Sequence, residues 1–580
     1  MPLSSMRGNN IVWECISNSL FCRFLKFLYD SVCTAYSNSF INKFFKTVSV
    51  WNQNSSYYKV IHNFINRSPK YTFSVVYSFL EFCGQKLDKL VNQINYDYSK
   101  AYKNSLLNRI FISVTVLGEK YFGKGYKIAY CIILTLVLCT YCFFLPKTSI
   151  IVIIGVLATI LILRDFGRAV YLVGIYPILY SIAISTSSGF LASMWDELLI
   201  IFCIAVWFYR WLIDRRDFSF GWTPVDFPVI LLFVVSIVLF IIGSLNKIDF
   251  DNVGFAGLRA SIEYLMFFFI VIKLLRDVNG AKKLIKVMIF TGIYMSIIGI
   301  YQVIANVETP SYWTDKAEIT SGPRAYSIVG NPNVLGCLLV MIIPFAVSLI
   351  FSEKLIWRKF LYTMATGLMG VCLIFTGSRS SWIALGLALF IYALLSKKYN
   401  LIIALVVFAG LAYTLIPSVQ SRINYLLDPA YIVSSFKGGR FARWPKAYEM
   451  FLSNLFFGVG FGQFGGAVAT NYKVPNYFYV DNYYLKIAVE MGIFGLITFL
   501  IALYNAVIWT FRAIIKTEDN VSKGIIHSGF GALIGILFTN IVLNNFDAPS
   551  VVTYFWTIVA ICVYLGYTKK GSPTNVHPSV

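Results

Sequence analysis

Long apolar runs separated by short polar segments fill the chain from residue 126 to residue 567. An α-helix needs about 17 to 25 apolar residues to cross a bilayer core of about 30 Å, and only a helix satisfies its own backbone hydrogen bonds there. We therefore predict an all-α polytopic membrane protein with about 12–14 transmembrane helices. The fourteen candidate spans are 126–146, 148–164, 169–187, 194–213, 226–245, 256–275, 283–305, 334–352, 358–376, 380–396, 400–416, 484–512, 526–545 and 550–567.

The loops between these spans alternate in positive charge. One set of alternate short loops carries 20 Lys and Arg residues, and the opposite set carries five. Because Lys and Arg concentrate in the cytoplasmic loops of membrane proteins, we expect the first set and both chain termini in the cytoplasm. The one long loop is then extracytoplasmic, and its six cations are compatible with this because long loops are translocated regardless of charge.

The pattern divides the chain into five segments. These are a basic cytoplasmic segment (1–125), eleven spans (126–416), the large extracytoplasmic loop (417–483), three further spans (484–567) and a cytoplasmic tail (568–580). The first segment is rich in Phe and Tyr but has no apolar run long enough to span. Amphipathic helices lying on the anionic inner membrane surface would explain it, and so would a partner-docking arm.

Composition excludes a soluble enzyme and a disordered protein. Hydrophobic residues make up 58% of the chain and charged residues 13%, whereas soluble proteins carry about 25% charged residues. The net charge of +22 is explained by cytoplasmic loops, so we predict membrane lipids and no nucleic acid as partners. The eleven Cys are interpreted as small hydrophobic residues, and neither a metal site nor a cofactor is predicted.

One polar motif lies at the start of the span 334–352. Arg324 precedes Asn331-Pro332-Asn333 by a few residues. Asn331 can cap the helix, and Pro332 suits its first turn, which would leave Arg324 solvated. The alternative is an anion-binding Arg324 beside a helix N-terminus, where the guanidinium and the helix dipole act together.

A second motif lies between the spans 358–376 and 380–396. Residues 376–382 form a tight turn that places Arg379 at the outer interface with Ser378 and Ser380. Arg379 can extend its side chain into the interface, or it can bind phosphate together with the serine hydroxyls.

The long loop contains a predicted short helix that ends near Ser453. Arg440 and Arg443 are three residues apart in it, so both side chains share one face. A literal G-x-G-x-x-G follows at residues 460–465. No strand precedes it, so we interpret its glycines as allowing the loop to pack closely on the membrane domain rather than as a dinucleotide site.

At the end of this loop, Asp481-Asn482-Tyr483 leads into the span 484–512. Asp481 can cap that helix, or it can act as a general base at the membrane surface. A carboxylate is the obvious base because His62, His527 and His577 are all expected on the cytoplasmic side. Burial would raise the pKa of Asp481, and nearby arginines would lower it.

Two further groups of charged residues allow other interpretations. Arg259 and Glu263 lie four residues apart within a span, and we expect them to pair. Asp249 and Asp251 form a D-x-D in an outer loop, which indicates either solvated acids or the divalent-metal site of a metal-dependent transferase. A flippase or transporter for lipid-linked oligosaccharides is another alternative, but it would line a path with charges through many spans, and these spans carry few.

The order of these motifs resembles that of the O-antigen ligase and Wzy-type polysaccharide polymerase superfamily. The matching residues are Arg324 with Asn331-Pro332-Asn333, Thr376 to Ser380, Arg440 with Trp444, Gly458 to Phe464, Asp481-Asn482 with Leu485, and Glu490 with Gly492. They cover about 320–495. The resemblance implies a helical membrane architecture of the GT-C type with one large outer loop.

The resemblance also implies an activity. The protein would transfer a glycan from an undecaprenyl-diphosphate-linked oligosaccharide donor to a hydroxyl of a glycan, lipid or protein acceptor, with inversion and without a metal. The reaction would take place at the outer face of the bacterial cytoplasmic membrane. Many ligases of this superfamily carry His at the position of Asp481, and Asp occurs among polymerase-like members, so polymerase and ligase both remain open.

By the same resemblance, Arg324 and Arg379 would hold the leaving diphosphate and Asp481 would deprotonate the acceptor. Arg440 and Arg443 would close the loop over the donor or steer it. The same motifs supply the other expected substrate-binding residues, which are Asn331, Asn333, Ser378, Ser380, Asn482 and Tyr483.

Overall fold

A computed structural model describes most of the chain after residue 165. The described residues are 166–186, 190–213, 223–245, 252–308, 323–429, 433, 435–436, 439–474 and 479–567. The segment 1–125, the predicted spans 126–146 and 148–164, and the tail 568–580 lie outside them, as do Asp249 and Asp251. The described residues contain helices and no strand, so the predicted all-α class is confirmed.

The helices of the described residues are labelled in chain order. The first nine are α1 (Val170–Gly174), α2 (Tyr176–Thr186), α3 (Phe190–Ile213), α4 (Asp226–Leu245), α5 (Asn252–Ile262), α6 (Met266–Leu274), α7 (Val278–Ile304), α8 (Pro332–Ser352) and α9 (Ile356–Phe375). The others are α10 (Arg379–Leu395), α11 (Tyr399–Leu415), α12 (Pro417–Leu427), α13 (Arg440–Ser453), α14 (Ala467–Asn471), α15 (Tyr483–Lys516), α16 (Asn520–Thr539) and α17 (Pro549–Tyr567).

Every predicted span that falls within the described residues overlaps a helix or a pair of consecutive helices. Eight helical segments there are long and apolar enough to cross a membrane, or up to ten if each of two bent pairs counts as one span. α1 and α2 are bent by 69°, and α11 and α12 by 95°. The chain is therefore a multi-pass membrane protein.

One predicted span is displaced by six residues at both ends. The span expected at 526–545 is α16, which begins at Asn520 and ends at Thr539. The connection from α16 to α17 carries the polar residues Asn540, Asn544, Asn545 and Asp547 and includes a 3-10 turn at Asn545–Asp547. The apolar residues between them extend the hydropathy signal beyond the end of the helix.

The central helices are α8 and α17. In the most apolar 18-residue stretch of each helix, 83% of the residues of α8 and 89% of those of α17 are buried. The corresponding share is 22% for α9, which lies at the periphery. α16 packs tightly against α10 because it presents glycines there, and a Cβ at Gly535 would lie 2.9 Å from Ala384 O. Small residues at such contacts let two membrane helices approach closely. This packing places the end of α16 beside the start of α10.

Candidate functional site

Thr376 closes the turn between α9 and α10. Its hydroxyl donates a hydrogen bond to Leu373 O at 2.7 Å and accepts one from Ser378 N at 3.2 Å. Gly377, at the tip, has a φ of 62°, in the left-handed region that favours glycine. The predicted tight turn between two spans is therefore present.

The two serines predicted to bind phosphate differ in exposure. Ser378 is buried, and its Oγ lies 2.9 Å from Ser381 Oγ and 3.4 Å from Ser380 Oγ. Ser380 is half-buried at the start of α10. Ser380 thus presents the more accessible hydroxyl, while Ser378 and Ser381 support it from the protein side.

Arg324 lies between this turn and the N-terminus of α8. Its Nε donates to Thr376 O at 2.8 Å, and its Nη2 donates to Asn333 Oδ1 at 3.3 Å. Asn331 caps α8, since its Oδ1 accepts from Asn333 N at 2.8 Å and from Val334 N at 3.3 Å. The Asn331 cap and an Arg324 placed beside the N-terminus of α8 were considered as alternatives, and both are present. A guanidinium group beside a helix N-terminus favours the binding of anions.

Arg379 is the first residue of α10 and contacts α12. Its Nη1 donates to Arg422 O at 3.4 Å, and its guanidinium lies 5.8 Å from the centre of the Tyr425 ring. Arg422 in turn donates from Nη1 to Gly377 O at 3.1 Å and is only 7% exposed. Three guanidinium groups, those of residues 324, 379 and 422, thus converge on one turn.

Sequence reasoning counted Arg422 among the loop cations but did not connect it with this turn. The 95° bend between α11 and α12 brings it there, and a bend of this kind leaves no periodic pattern. The available signal is Pro417 at the first position of α12, a residue type that often begins a helix.

Asp481 lies against α13, opposite two arginines. Its Oδ2 is 3.4 Å from Arg443 Nη1 and 3.9 Å from Arg440 Nε. Arg443 Nη1 also donates to Tyr479 O at 2.8 Å, and Trp444 Nε1 donates to Val480 O at 3.0 Å. The prediction that Arg440 and Arg443 share one face is confirmed, and that face is directed at Asp481.

Burial and charge act in opposite directions on Asp481. Burial raises the pKa of its carboxyl group, and the guanidinium groups of Arg440 and Arg443 lower it, with burial the larger effect. The net pKa is above the ordinary value of 3.8. A carboxylate with a raised pKa is a stronger proton acceptor than a solvated one.

The cap of α15 is Asn482 and not Asp481. Asn482 Oδ1 accepts from Leu485 N at 3.1 Å, and Asn482 N donates to Asn544 Oδ1 at 2.9 Å. The interpretation of Asp481 as the cap is therefore wrong. Asp481 lies before the helix with a φ of 51°, and its carboxylate faces Arg443 of α13.

Tyr483 lies in the core. It is 4% exposed, and its ring packs 5.4 Å from that of Phe546 and 5.7 Å from that of Phe499, measured between ring centres. This placement does not support the substrate contact expected for Tyr483.

The connection between α16 and α17 holds the residues around Asp481. Asn540 O accepts from Tyr483 N at 2.9 Å, and Asn544 Nδ2 donates to Gly465 O. Asn545 Nδ2 donates to Thr539 Oγ1 at 2.7 Å. These side chains were hidden inside the predicted span 526–545, although a run of Asn-Asn-x-Asp between two apolar segments is a readable polar signal.

The same connection reaches the turn at Gly377. Cys337 Sγ of α8 lies 3.9 Å from both Thr539 Oγ1 and Ser381 Oγ, and all three residues are buried. A layer of buried polar side chains therefore joins the arginine turn to the residues around Asp481. Both clusters lie at the same end of the helical bundle.

The glycine-rich loop crosses a break in α15. Gly492 has a φ of 64° within that helix, and the carbonyl groups before it accept from the loop, with Val459 N 2.9 Å from Val489 O and Gly460 N 3.1 Å from Glu490 O. Four of the five glycines of the loop adopt positive φ, namely Gly458, Gly460, Gly462 and Gly465, whereas Gly466 is extended. The interpretation of these glycines as close-packing residues is confirmed at Gly458, where a Cβ would collide with the Glu490 backbone, and at Gly462, where it would lie 2.7 Å from Val253 O.

A buried ion network lies beneath the loop. Lys486 Nζ is 2.7 Å from Asp547 Oδ1 and 3.4 Å from Glu490 Oε2. The two carboxylates accept from the loop backbone, from Ala467 N and Phe464 N respectively, each at 3.3 Å. The network thus anchors the loop to the start of α15.

Residues 364–500 match the protein-family model described as O-antigen ligase. This region of the chain is similar to O-antigen ligases. It contains the arginine turn from Thr376 onward, the α13 arginines, Asp481 and the break in α15 at Gly492, while Arg324 lies before it. No curated protein matches the chain. The match confirms, at the level of the family, the resemblance seen in the motifs.

Proposed function

We propose that the protein transfers a glycan from an undecaprenyl-diphosphate-linked oligosaccharide to an acceptor hydroxyl at the outer face of the bacterial cytoplasmic membrane. The reaction is inverting and metal-independent, and the acceptor is a growing polysaccharide, a lipid or a protein. The match to the O-antigen ligase family supports the reaction class. The observation that carries the finer proposal is the placement of a three-arginine turn and a carboxylate at one end of the bundle, joined by buried polar side chains.

In the proposed step, the Asp481 carboxylate accepts the proton of the acceptor hydroxyl. The acceptor oxygen attacks the anomeric carbon, the bond from that carbon to the diphosphate oxygen breaks, and the diphosphate leaves with the bonding electrons. Arg324 and Arg379 stabilise the charge that develops on the leaving group. A single in-line displacement inverts the anomeric configuration.

Other residues position the two reactants. Arg440 and Arg443 flank Asp481 and steer or cover the donor, whose diphosphate is attracted to guanidinium groups. The N-terminus of α8, with Asn331 and Asn333, and the hydroxyl of Ser380 add hydrogen bonds at the phosphate end. Ser378 and Asn482 act by holding the turn and the helix start.

The decisive experiment is reconstitution of the purified full-length protein with an undecaprenyl-diphosphate oligosaccharide in EDTA. A ladder of longer glycans without added acceptor supports a polymerase. Donor consumption only after a lipid or protein acceptor is added supports a ligase. If the donor is consumed only after a divalent metal is restored, the metal-independent mechanism is wrong, and if it is moved across the membrane without being consumed, the protein is a transporter.

A further inference from the structure

A second group of charged residues lies within the membrane domain, on α3 and around the junction of α5 and α6. Arg259 Nε donates to Glu263 Oε2 at 2.9 Å, which confirms the predicted pair, and Arg259 Nη2 donates to Glu197 Oε2 at 2.9 Å. Tyr264 OH donates to Asp196 Oδ2 at 3.1 Å. Asp196 and Glu197 give no distinct signal in the sequence, because they lie near the expected end of a span.

This cluster is enclosed by aromatic rings. The ring of Tyr176 lies 5.1 Å from that of Trp195 and 5.3 Å from that of Phe267, and Tyr180 packs 5.9 Å from Trp195. Asp196 is 3% exposed and Glu263 is 8% exposed. The side chains of Arg259 and Glu197 are 31% and 25% exposed, so they form the more open edge of the cluster.

The charges of the cluster do not balance. Three carboxyl groups face one guanidinium group among the described residues, and the remaining polar groups around them are tyrosines. Asp196 Oδ1, Glu263 Oε1 and Tyr176 OH are buried and make no hydrogen bond of normal length and angle within the described residues. A net negative charge on buried side chains is costly unless it is paired or neutralised.

Protons and a bound cation are the two ways to neutralise this charge. No group of three or more His, Cys, Asp or Glu side chains within the described residues is arranged to hold a metal ion. We propose that the cluster is a proton-binding site in which Asp196 and Glu263 are carboxylic acids while Glu197 is the ionised partner of Arg259.

The proposal assigns the protons to particular atoms. Asp196 Oδ2 and Glu263 Oε2 are the oxygens that accept hydrogen bonds, from Tyr264 and Arg259, and they correspond to the carbonyl oxygen of each acid. Asp196 Oδ1 and Glu263 Oε1 then carry the O–H groups. Two bound protons leave one carboxylate facing one guanidinium, which balances the charge of the buried cluster.

The site lies in a helix that also supports the glycine-rich loop. One to two turns before Glu263, the α5 backbone at Gly257 packs against Gly462, where a Cβ would lie 2.7 Å from the Gly462 Cα. The proton site is nonetheless separate from Asp481 and the arginine turn. It can therefore be tested without measuring glycan transfer, and failure of either proposal leaves the other intact.

The test is infrared spectroscopy of the full-length protein in lipid nanodiscs at neutral pH. Carboxylic acids absorb at a higher carbonyl frequency than carboxylates, so difference spectra against Asp196→Asn and Glu263→Gln should each show the loss of one acid band. Glu197→Gln is the matched control and should lose carboxylate absorption instead. Loss of carboxylate absorption in the first two variants would overturn the proposal.

If Asp196→Asn or Glu263→Gln fails to fold, the conservative exchanges Asp196→Glu and Glu263→Asp provide a second test. Each retains a carboxyl group but places it in an altered environment, so the corresponding acid band should shift in frequency. An acid band that is unchanged in both exchanges would show that neither residue carries the proton.

Discussion

At the scale of single residues, Asp481 is the side chain on which the proposed chemistry most depends. Because Asn482 caps α15, replacing Asp481 by Asn removes the proton acceptor without removing the cap. We expect Asp481→Asn to lower the rate of transfer by about 10²- to 10⁴-fold, the usual range for a general base, while donor binding is retained. Turnover in the reconstituted assay and binding of the labelled donor measure the two effects.

The control for this substitution is Asn482→Ala. Loss of the cap should cost about 1 kcal/mol of stability and lower the melting temperature, which Asp481→Asn should not do. If both variants lost stability and activity together, Asp481 would be a structural residue and not a base.

The pH dependence of transfer follows from the raised pKa of Asp481. A general base acts as a carboxylate, so activity falls as the pH drops through its pKa, and the acid limb should begin above the range of a solvated Asp. Arg440→Gln removes a charge that lowers this pKa, so the limb should move to higher pH. Lys446→Gln, which neutralises an exposed residue of the same helix, is the matched control, and an equal shift in both variants would contradict direct contact.

Arg324 is expected to require its guanidinium group and not merely its charge. It donates to both Thr376 O and Asn333 Oδ1, and the single ammonium group of Lys cannot reproduce this fork. Arg324→Lys should lower the maximal transfer rate by about 10²-fold or more, as is typical when one group that stabilises a developing anion is lost. Arg358→Lys, at an exposed position in the first turn of α9, should leave the rate unchanged in the same assay.

At the scale of elements, the turn between α9 and α10 depends on Gly377. A Cβ there would lie 2.8 Å from Arg422 Cζ, and the φ of 62° is strained for any other residue. We expect Gly377→Ala to cost about 1–2 kcal/mol from the backbone alone and to displace Arg422, with loss of transfer. Thermal unfolding and the transfer assay measure both effects.

Gly370→Ala provides the comparison, because it lies in α9 with open space around it. Alanine is a better helix former than glycine, so this variant should be at least as stable as the parent protein. If Gly377→Ala and Gly370→Ala lowered the melting temperature equally, the destabilisation could not be attributed to the contact between residue 377 and Arg422.

The sequence predicts individual elements better than their ends and contacts. Apolar length locates the helices, and cap chemistry correctly identifies Asn331, because both are local properties. It does not identify the cap of α15, which is Asn482 and not the neighbouring Asp481, since both residue types are suited to that role. It missed Arg422 and Asn544 because a 95° bend and a polar connection between two spans become visible only when distant segments pack together.

At the scale of the whole molecule, the sequence predicts which residues belong to the candidate site but not the distances between them. The alternation of Lys and Arg assigns Arg324, Arg379 and Asp481 to one side of the membrane, although they are far apart in sequence. The hydrogen bonds from α8, α10 and the α16–α17 connection then account for their presence at one end of the bundle. Charge pattern predicts the side, whereas buried polar side chains determine the contacts.

The sidedness of the whole molecule is the last prediction. Tyr472, after α14, and Lys397, between α10 and α11, are both exposed, and the charge pattern places them on opposite sides of the membrane. In a variant without the native Cys residues, a membrane-impermeant maleimide added to intact cells should label Tyr472→Cys and not Lys397→Cys. In permeabilised cells the maleimide should label both Tyr472→Cys and Lys397→Cys, which shows that each introduced thiol can react. The reverse pattern in intact cells would place Asp481 on the cytoplasmic side and contradict transfer at the outer face.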